Sequence, residues 1–366
     1  MRPEATVVLV VVTALVLIGV LAVYSVSAVK KDDAGIFQRH LTWLCLGLVC
    51  MLTAMHVDYH RFQGRLFVGA LVVGTMLLLL YVLFFGQEIR GARRWIQVGF
   101  FQFQPSELAK IAAMVFLAVK LVENQGDIKS FARGFTPPFG IAISFAALIV
   151  LQPDLGIPVI IVAMAFVMML VAGTRLRYLA ASTIPVLAAV SFLIVAYPYR
   201  WKRIIAFLDP WKDPEGAGYH LIQSLAAFAR GGLWGIGPGG GTQKLQYLPD
   251  AHTDFIFAVW AEETGLIGTL LAGSLFAILL LMAVRIAMCA RDLFGSLLAT
   301  GIVSLICLQA LLNMAVTTGW LPTKGLPLPF ISYGGTATLV FFTLIGILLN
   351  IGLQAEEPQS VHALAY

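Results

Sequence analysis

The chain has 366 residues, 60% of them hydrophobic and only 12% charged, with a formal net charge of +5 and a mean hydropathy of +0.90. Soluble globular domains are nearer half apolar and a quarter charged, so a water-soluble protein is excluded. The basic balance fits the loops of a membrane protein, and no nucleic-acid motif accompanies it.

The apolar runs have helix length rather than the ten-residue alternation of barrel strands, which predicts an all-α polytopic membrane protein. About ten transmembrane helices are expected, near 5–29, 41–57, 66–85, 105–123, 139–151, 156–172, 178–197, 255–284, 293–318 and 330–353. The first run, Ala5 to Val29, has no small-residue cleavage site and reads as a retained span, not a signal peptide. The fifth ends at Leu151 and turns through Gln152, Pro153 and Asp154 into the sixth, as a tight hairpin or a partly re-entrant pair. No transporter-like internal repeat is visible. Cys45, Cys50, Cys289 and Cys307 all lie in apolar segments without a CxxC pair, implying neither a disulfide framework nor a metal site. Loop lysines and arginines favour cytoplasmic termini by a thin margin. Arg93, Arg94 and Lys324 fall on the opposite side without adjacent acids, which suits an anionic ligand. The chain reads as a single membrane domain over 1–366 with a large extracytoplasmic loop, 198–254, between helices 7 and 8.

That loop opens with Arg200, Lys202 and Arg203. Turn-forming DPWKDPEGAG, an amphipathic run from His220 to Arg230 and a glycine-rich turn from Gly231 to Gly241 follow. Folded back over the membrane surface, it would bring Lys202 and Arg203 towards Asp254. The glycines follow no strand and lack a GKS or GKT ending, so they read as a flexible lid or tight reversal, not a nucleotide loop. His56 and His60 are i, i+4 but have no third ligand nearby, and read as interfacial residues.

The functional weight falls on YLPDAHTDFIFAVWAEE, Tyr247 to Glu263, which carries Asp250, His252 and Asp254 just ahead of hydrocarbon. A carboxylate at the mouth of a membrane helix is costly in lipid, so Asp254 is expected to face water, a cavity or a bound partner. An equal alternative is that Asp254 only caps a helix starting at Phe255. GARRWIQVGFFQFQPSELAK reads as an interfacial segment leading into a helix with Pro105 in its first turn. Glu107 and Lys110, i, i+3 on that helix, form an ion pair that is structural or catalytic. LPTKGLPLPFISYGG sets Lys324 in a Pro- and Gly-rich loop, where a lone lysine is ordinarily just solvated.

GARRWI with QPSELAK, QPDLG from Gln152, FLDPWKDPEGAGYHLIQS from Phe207, RGGLWGIGPG, QKLQYLPDAHTDFIFA and LPTKGLPLPFISYGG together resemble the SEDS family of bacterial cell-wall polymerases, the shape, elongation, division and sporulation proteins. These motifs span nearly the whole membrane core in the family's order. AFARGGLWG, QKLQYLPDAHTDF and LPTKGL resemble the division and sporulation branches more than the elongation branch. The resemblance implies a peptidoglycan glycosyltransferase that polymerises lipid II at the outer face of the cytoplasmic (inner) membrane. It places the family's loop aspartate on Asp254, its lysine before the last span on Lys324, its paired acid and base on Glu107 and Lys110, and its arginine on Arg94. It also implies a class B penicillin-binding protein transpeptidase as partner, among other division proteins, to supply the peptide crosslinking. Thr264 and Thr336-Ala337 depart from the family's usual residues without touching this chemistry.

Polymerising lipid II requires a sugar hydroxyl to displace a diphosphate at an anomeric carbon, which calls for one base and cations for the leaving group. Asp254 is the expected base, Arg94, Lys202, Arg203 and Lys324 the expected diphosphate ligands, and Glu107, Lys110, Asp154 and His252 their support. A divalent cation, magnesium or manganese, could assist, although Asp154, Asp250 and Asp254 are the obvious carboxylates on that face and no ligand cluster is evident. A lipid II flippase would use the same cations, but would need polar features at both faces. A non-catalytic scaffold gives no reason to gather a base and cations around one loop.

Overall fold

The structure is a computed structural model that describes residues 2–28, 34–89, 91–99, 101–241 and 252–355. Asp250 and the rest of the motif before His252 lie outside the described residues. Among the described residues the helices are α1 (Pro3–Ser27), α2 (Ala34–His56), α3 (Arg65–Phe85), α4 (Pro105–Glu123), α5 (Thr136–Val150), α6 (Gly156–Val171), α7 (Leu176–Ala196), α8 (Pro198–Leu208), α9 (Tyr219–Gly231), α10 (Ile256–Met288), α11 (Leu293–Thr317) and α12 (Thr336–Gln354).

Eight of these are long and apolar enough to cross a membrane: α1, α2, α3, α5 with its lead-in turn, α7, α10, α11 and α12. The two other expected spans are also helical. Helix α6 has only 16 residues, and α4 carries Glu107, Lys110, Lys120 and Glu123 along its 19 residues. Charges in a membrane helix are tolerated where protein covers them, and α4 packs against α3, α5, α6 and α11. Most of α11 and α12 is likewise buried, whereas α7 is mostly exposed and packs chiefly on α8. A helix apolar all round yet uncovered by protein faces lipid.

Between α3 and α4, the stretch expected as an interfacial segment forms a three-stranded antiparallel sheet. Its strands are β1 (Gln87–Ile89), β2 (Ala92–Val98) and β3 (Phe101–Phe103). Glu88 pairs with Arg93 and Gln97 with Gln102 across it. Pro105 then stands in the first turn of α4, as expected.

The long loop is ordered by two helices. On α8, Trp201, Ile205 and Leu208 form an exposed apolar stripe at i, i+4, i+7. Arg200 is buried beneath the rings of Tyr197 and Tyr199, at 4.6 and 5.3 Å from their centroids. Helix α9 is tied to the bundle by the Ser224 hydroxyl, which donates to the Thr317 carbonyl at 2.6 Å. The glycine-rich turn is a tight reversal docked on α10, not a free lid. The Ile236 and Gly237 N–H groups donate to the Glu262 and Glu263 carbonyls, each at 3.1 Å, and the Leu266 N–H donates to the Gly232 carbonyl at 2.9 Å. These bonds are available because α10 breaks at Gly265 (φ 67°, ψ −160°). A Cβ there would lie 2.4 Å from the Gly235 nitrogen, so only glycine fits both the conformation and the approach.

Candidate active site

Four chain segments converge at one end of the bundle: the turn joining α5 to α6, strand β2, helix α8, and the loop between α11 and α12 facing the entry to α10. Strand β2 presents Arg94 to the turn. Its Nε donates to the Gln152 carbonyl at 2.9 Å, a second N–H donates to the Pro153 carbonyl, and the guanidinium lies 3.7 Å from Asp154 Oδ2. The other oxygen of Asp154 accepts from the Gly156 N–H at 2.8 Å, an Asx-type bond that fixes the carboxylate at the start of α6. Gln152 anchors the turn from below, donating to the Leu79 carbonyl at 2.9 Å.

Arg203 reaches across from α8 and donates to the Thr323 carbonyl at 3.4 Å. Part of its side chain stays in solvent. Desolvation around the guanidinium still lowers its hold on the proton; Tyr199, Asp254 and Asp154 pull the other way, and Arg94 adds to the lowering. Both carboxylates and Arg94 therefore lie within its field. Lys324 follows Thr323 in the loop and is half-buried. Burial holds its ammonium below the ordinary lysine value, and Asp154 offsets part of that. Lys202 is exposed, and no ion pair joins it to another described residue. Adjacent positions on a helix point about 100° apart, and Arg203 is the one whose contacts bring it to this group.

Asp254 faces the same loop. A Cβ on Gly325 would stand 3.0 Å from Asp254 Oδ2, so the glycine lets the carboxylate approach. Helix α10 begins at Ile256 with Phe255 in the N-cap position. Asp254 therefore stands one residue ahead of the N-cap position. His252 lies just before it; its carbonyl accepts from the Tyr333 N–H at 3.0 Å and its ring is 5.8 Å from that of Tyr333. This ties the entry of α10 to the SYGG turn.

The FtsW/RodA/SpoVE family model, described as cell cycle protein, matches residues 5–357. The chain belongs to this family. It is 43% identical over 341 residues to a probable peptidoglycan glycosyltransferase FtsW of Geobacter sp. (strain M18), covering 91% of this chain and 92% of that one. It is 44% identical over 351 residues to the stage V sporulation protein E of Bacillus subtilis (strain 168), covering 94% and 95%. Among solved structures, it superposes with a TM-score of 0.80 and 30% identity on a chain from work on structural coordination of polymerization and crosslinking by a peptidoglycan synthase complex, covering 96% of this chain and 98% of that one.

In this FtsW/RodA/SpoVE member, Glu107 and Lys110 form the expected pair at 2.7 Å, both buried. The Lys110 ammonium also donates to Gln309 Oε1 at 2.9 Å and lies over the Phe341 ring, 4.9 Å from its centroid. The pair joins the site through Gln309, whose Nε2 donates to the Pro327 carbonyl at 2.9 Å. One turn further along α11, Asn313 Nδ2 donates to the carbonyls of Asp254 and Leu326. A reading of 293–318 as an apolar span passes over both amides. Their i, i+4 spacing inside hydrocarbon was the signal that could have found them, since polar groups there need a reason. Glu262 and Glu263 are buried too; Glu262 lies 3.8 Å from Arg230 of α9, and Glu263 accepts from the Ser25 hydroxyl of α1. They stitch three helices behind the entry to α10.

Proposed function

We infer that this chain is a peptidoglycan glycosyltransferase that polymerises lipid II at the outer face of the cytoplasmic membrane, with both termini cytoplasmic, for septal wall synthesis in division. The observation that carries this reading is the gathering of one helix-mouth carboxylate, Asp254, with Arg94, Arg203 and Lys324 from three separate segments. Relatives named as probable peptidoglycan glycosyltransferases support the reaction class.

Asp254 takes the proton from the 4-hydroxyl of the acceptor sugar. That oxygen bonds to the anomeric carbon of the donor, and the bond from this carbon to the diphosphate oxygen breaks, with its electron pair leaving on the diphosphate. Guanidinium groups offer paired donors to phosphate oxygens, and Lys324 adds a point charge. Asp154 orients Arg94 and favours the charged form of Lys324. The exposed flank of α7 offers a lipid-facing surface for the polyprenyl tail. Asp154 is already engaged by Arg94 and the Gly156 N–H, and no group of three His, Cys, Asp or Glu suited to a metal occurs among the described residues. Asp250, the third carboxylate expected on that face, lies outside the described residues. A class B penicillin-binding protein is the proposed partner, in keeping with a structural relative from a complex that couples polymerization to crosslinking.

The test is incubation of purified lipid II with this protein in detergent, with and without the cognate penicillin-binding protein. Glycan strands are the expected product. No strands in either case, with lipid II still moved across vesicles, would hand the reading to a transporter. A second expectation concerns pH. Lys324 is charged only below a lowered pKa, so kcat/KM should fall on the alkaline side with a midpoint below the 10.5 of an ordinary lysine. Lys324→Arg should remove that limb; a limb unchanged in the variant would assign it to another group.

A further inference from the structure

Gln309 and Asn313 lie one turn apart on α11, and both are buried. A carboxamide inside an apolar span is expensive unless its donors are met. Asn313 meets its donors with backbone carbonyls from two different segments: Asp254, at 2.8 Å, and Leu326, at 2.7 Å. Gln309 donates to the next carbonyl, Pro327, and accepts from Lys110 on its other side. Leu326 and Pro327 follow Lys324 by two and three residues. A loop with prolines at 322, 327 and 329 has few N–H groups to build its own backbone ladder, so its carbonyls must be held from outside. Helix α11 holds two of them, and with the same side chain it holds the backbone of Asp254.

We propose that Asn313 is a positioning residue that fixes Asp254 relative to Lys324, with Gln309 as a second rung passing the constraint from Lys110 to the same loop. The kinetic part of this inference rests on the glycosyltransferase reading, whereas the structural part does not. Asn313 touches neither the carboxylate nor the ammonium. It acts by pinning the two backbones that carry them, and a base and a cation serving one displacement lose rate steeply when either is misplaced by about 1 Å.

Asn313→Asp keeps the side-chain shape and deletes both donors; Asn313→Ser keeps one donor and serves as partial rescue should the first variant fold poorly. Gln309→Glu keeps the acceptor for Lys110 and deletes the donor to Pro327. Hydrogen exchange of the protein in detergent should rise at least tenfold at the Leu326 amide in Asn313→Asp, less in Asn313→Ser, and nearer Leu328 in Gln309→Glu. Strand synthesis per folded molecule should fall roughly 10- to 100-fold in kcat for Asn313→Asp, with KM for lipid II within about threefold, because the cations that bind diphosphate remain. Unchanged exchange overturns the inference whatever the activity. Faster exchange with wild-type kcat overturns the positioning role, as does a loss confined to KM. A wild-type protein that makes no strands would instead sink the glycosyltransferase reading, and exchange alone would then decide whether Asn313 clamps the loop.

Discussion

Asp254→Asn should polymerise lipid II at least about a hundredfold more slowly than the wild type while melting at the same temperature. General-base catalysis contributes roughly 10²- to 10⁴-fold, and the amide can accept no proton at the acceptor hydroxyl. The fold should survive because Asp254 stands one residue ahead of the N-cap position of α10, and an asparagine oxygen there can still accept from a backbone N–H. Its contact with Asn313 runs through the backbone carbonyl, which the substitution keeps. The amide has the carboxylate's size, so it fits beside Gly325, where any Cβ would stand only 3.0 Å from the Asp254 side chain. Lipid II binding should be retained through Arg94, Arg203 and Lys324. A variant that polymerises at full rate moves the base elsewhere, and one that no longer binds lipid II makes Asp254 a ligand instead.

Lys110→Met should destabilise the bundle strongly. It leaves the Glu107 carboxylate buried, 2% exposed, without the ammonium that sits 2.7 Å away. Breaking a buried pair by removing one partner costs about 3–5 kcal/mol, whereas replacing both with apolar groups of similar size is often close to neutral. The double variant Glu107→Leu/Lys110→Met should therefore recover most of the melting temperature lost by Lys110→Met. Its activity should stay low all the same, because Gln309 loses the partner that holds it towards Pro327. If Lys110→Met melts like the wild type and yet makes no strands, the pair belongs to the chemistry itself.

Hydropathy and motif order locate the helices well. The ten expected runs all correspond to helices, and α4 and α6 fall short of the others for a visible reason: charge in one, length in the other. Asp254 stood out as a carboxylate that lipid would not tolerate unexplained, whereas Arg94 and Lys324 were singled out as loop cations without adjacent acids and by resemblance to the family's motifs. Lys202 and Arg203 were not separable, since neighbours in sequence say nothing about which points inward until the helix axis is placed. The sheet at 87–103 was missed because two of its strands have three residues each, too few for alternation to register. Gln309 and Asn313 were missed for another reason. Counting polar residues in a span shows that something must satisfy them, but not that the partners are carbonyls on both sides of the site.

The break at Gly265 bears on how the protein meets its bilayer. A straight helix of 33 residues would run about 50 Å, far beyond a hydrocarbon core of about 30 Å. Only the part from Leu266 onward has a length that matches the membrane. Spans adjust to thicker or thinner bilayers by tilting, and a rod that tilts about a break does not drag its far end with it. The stub before Gly265 is held instead by the glycine turn and by Arg230. The protein should accordingly keep Asp254 in register across lipids of different chain length, as a hinged mast keeps its foot still while the upper spar leans.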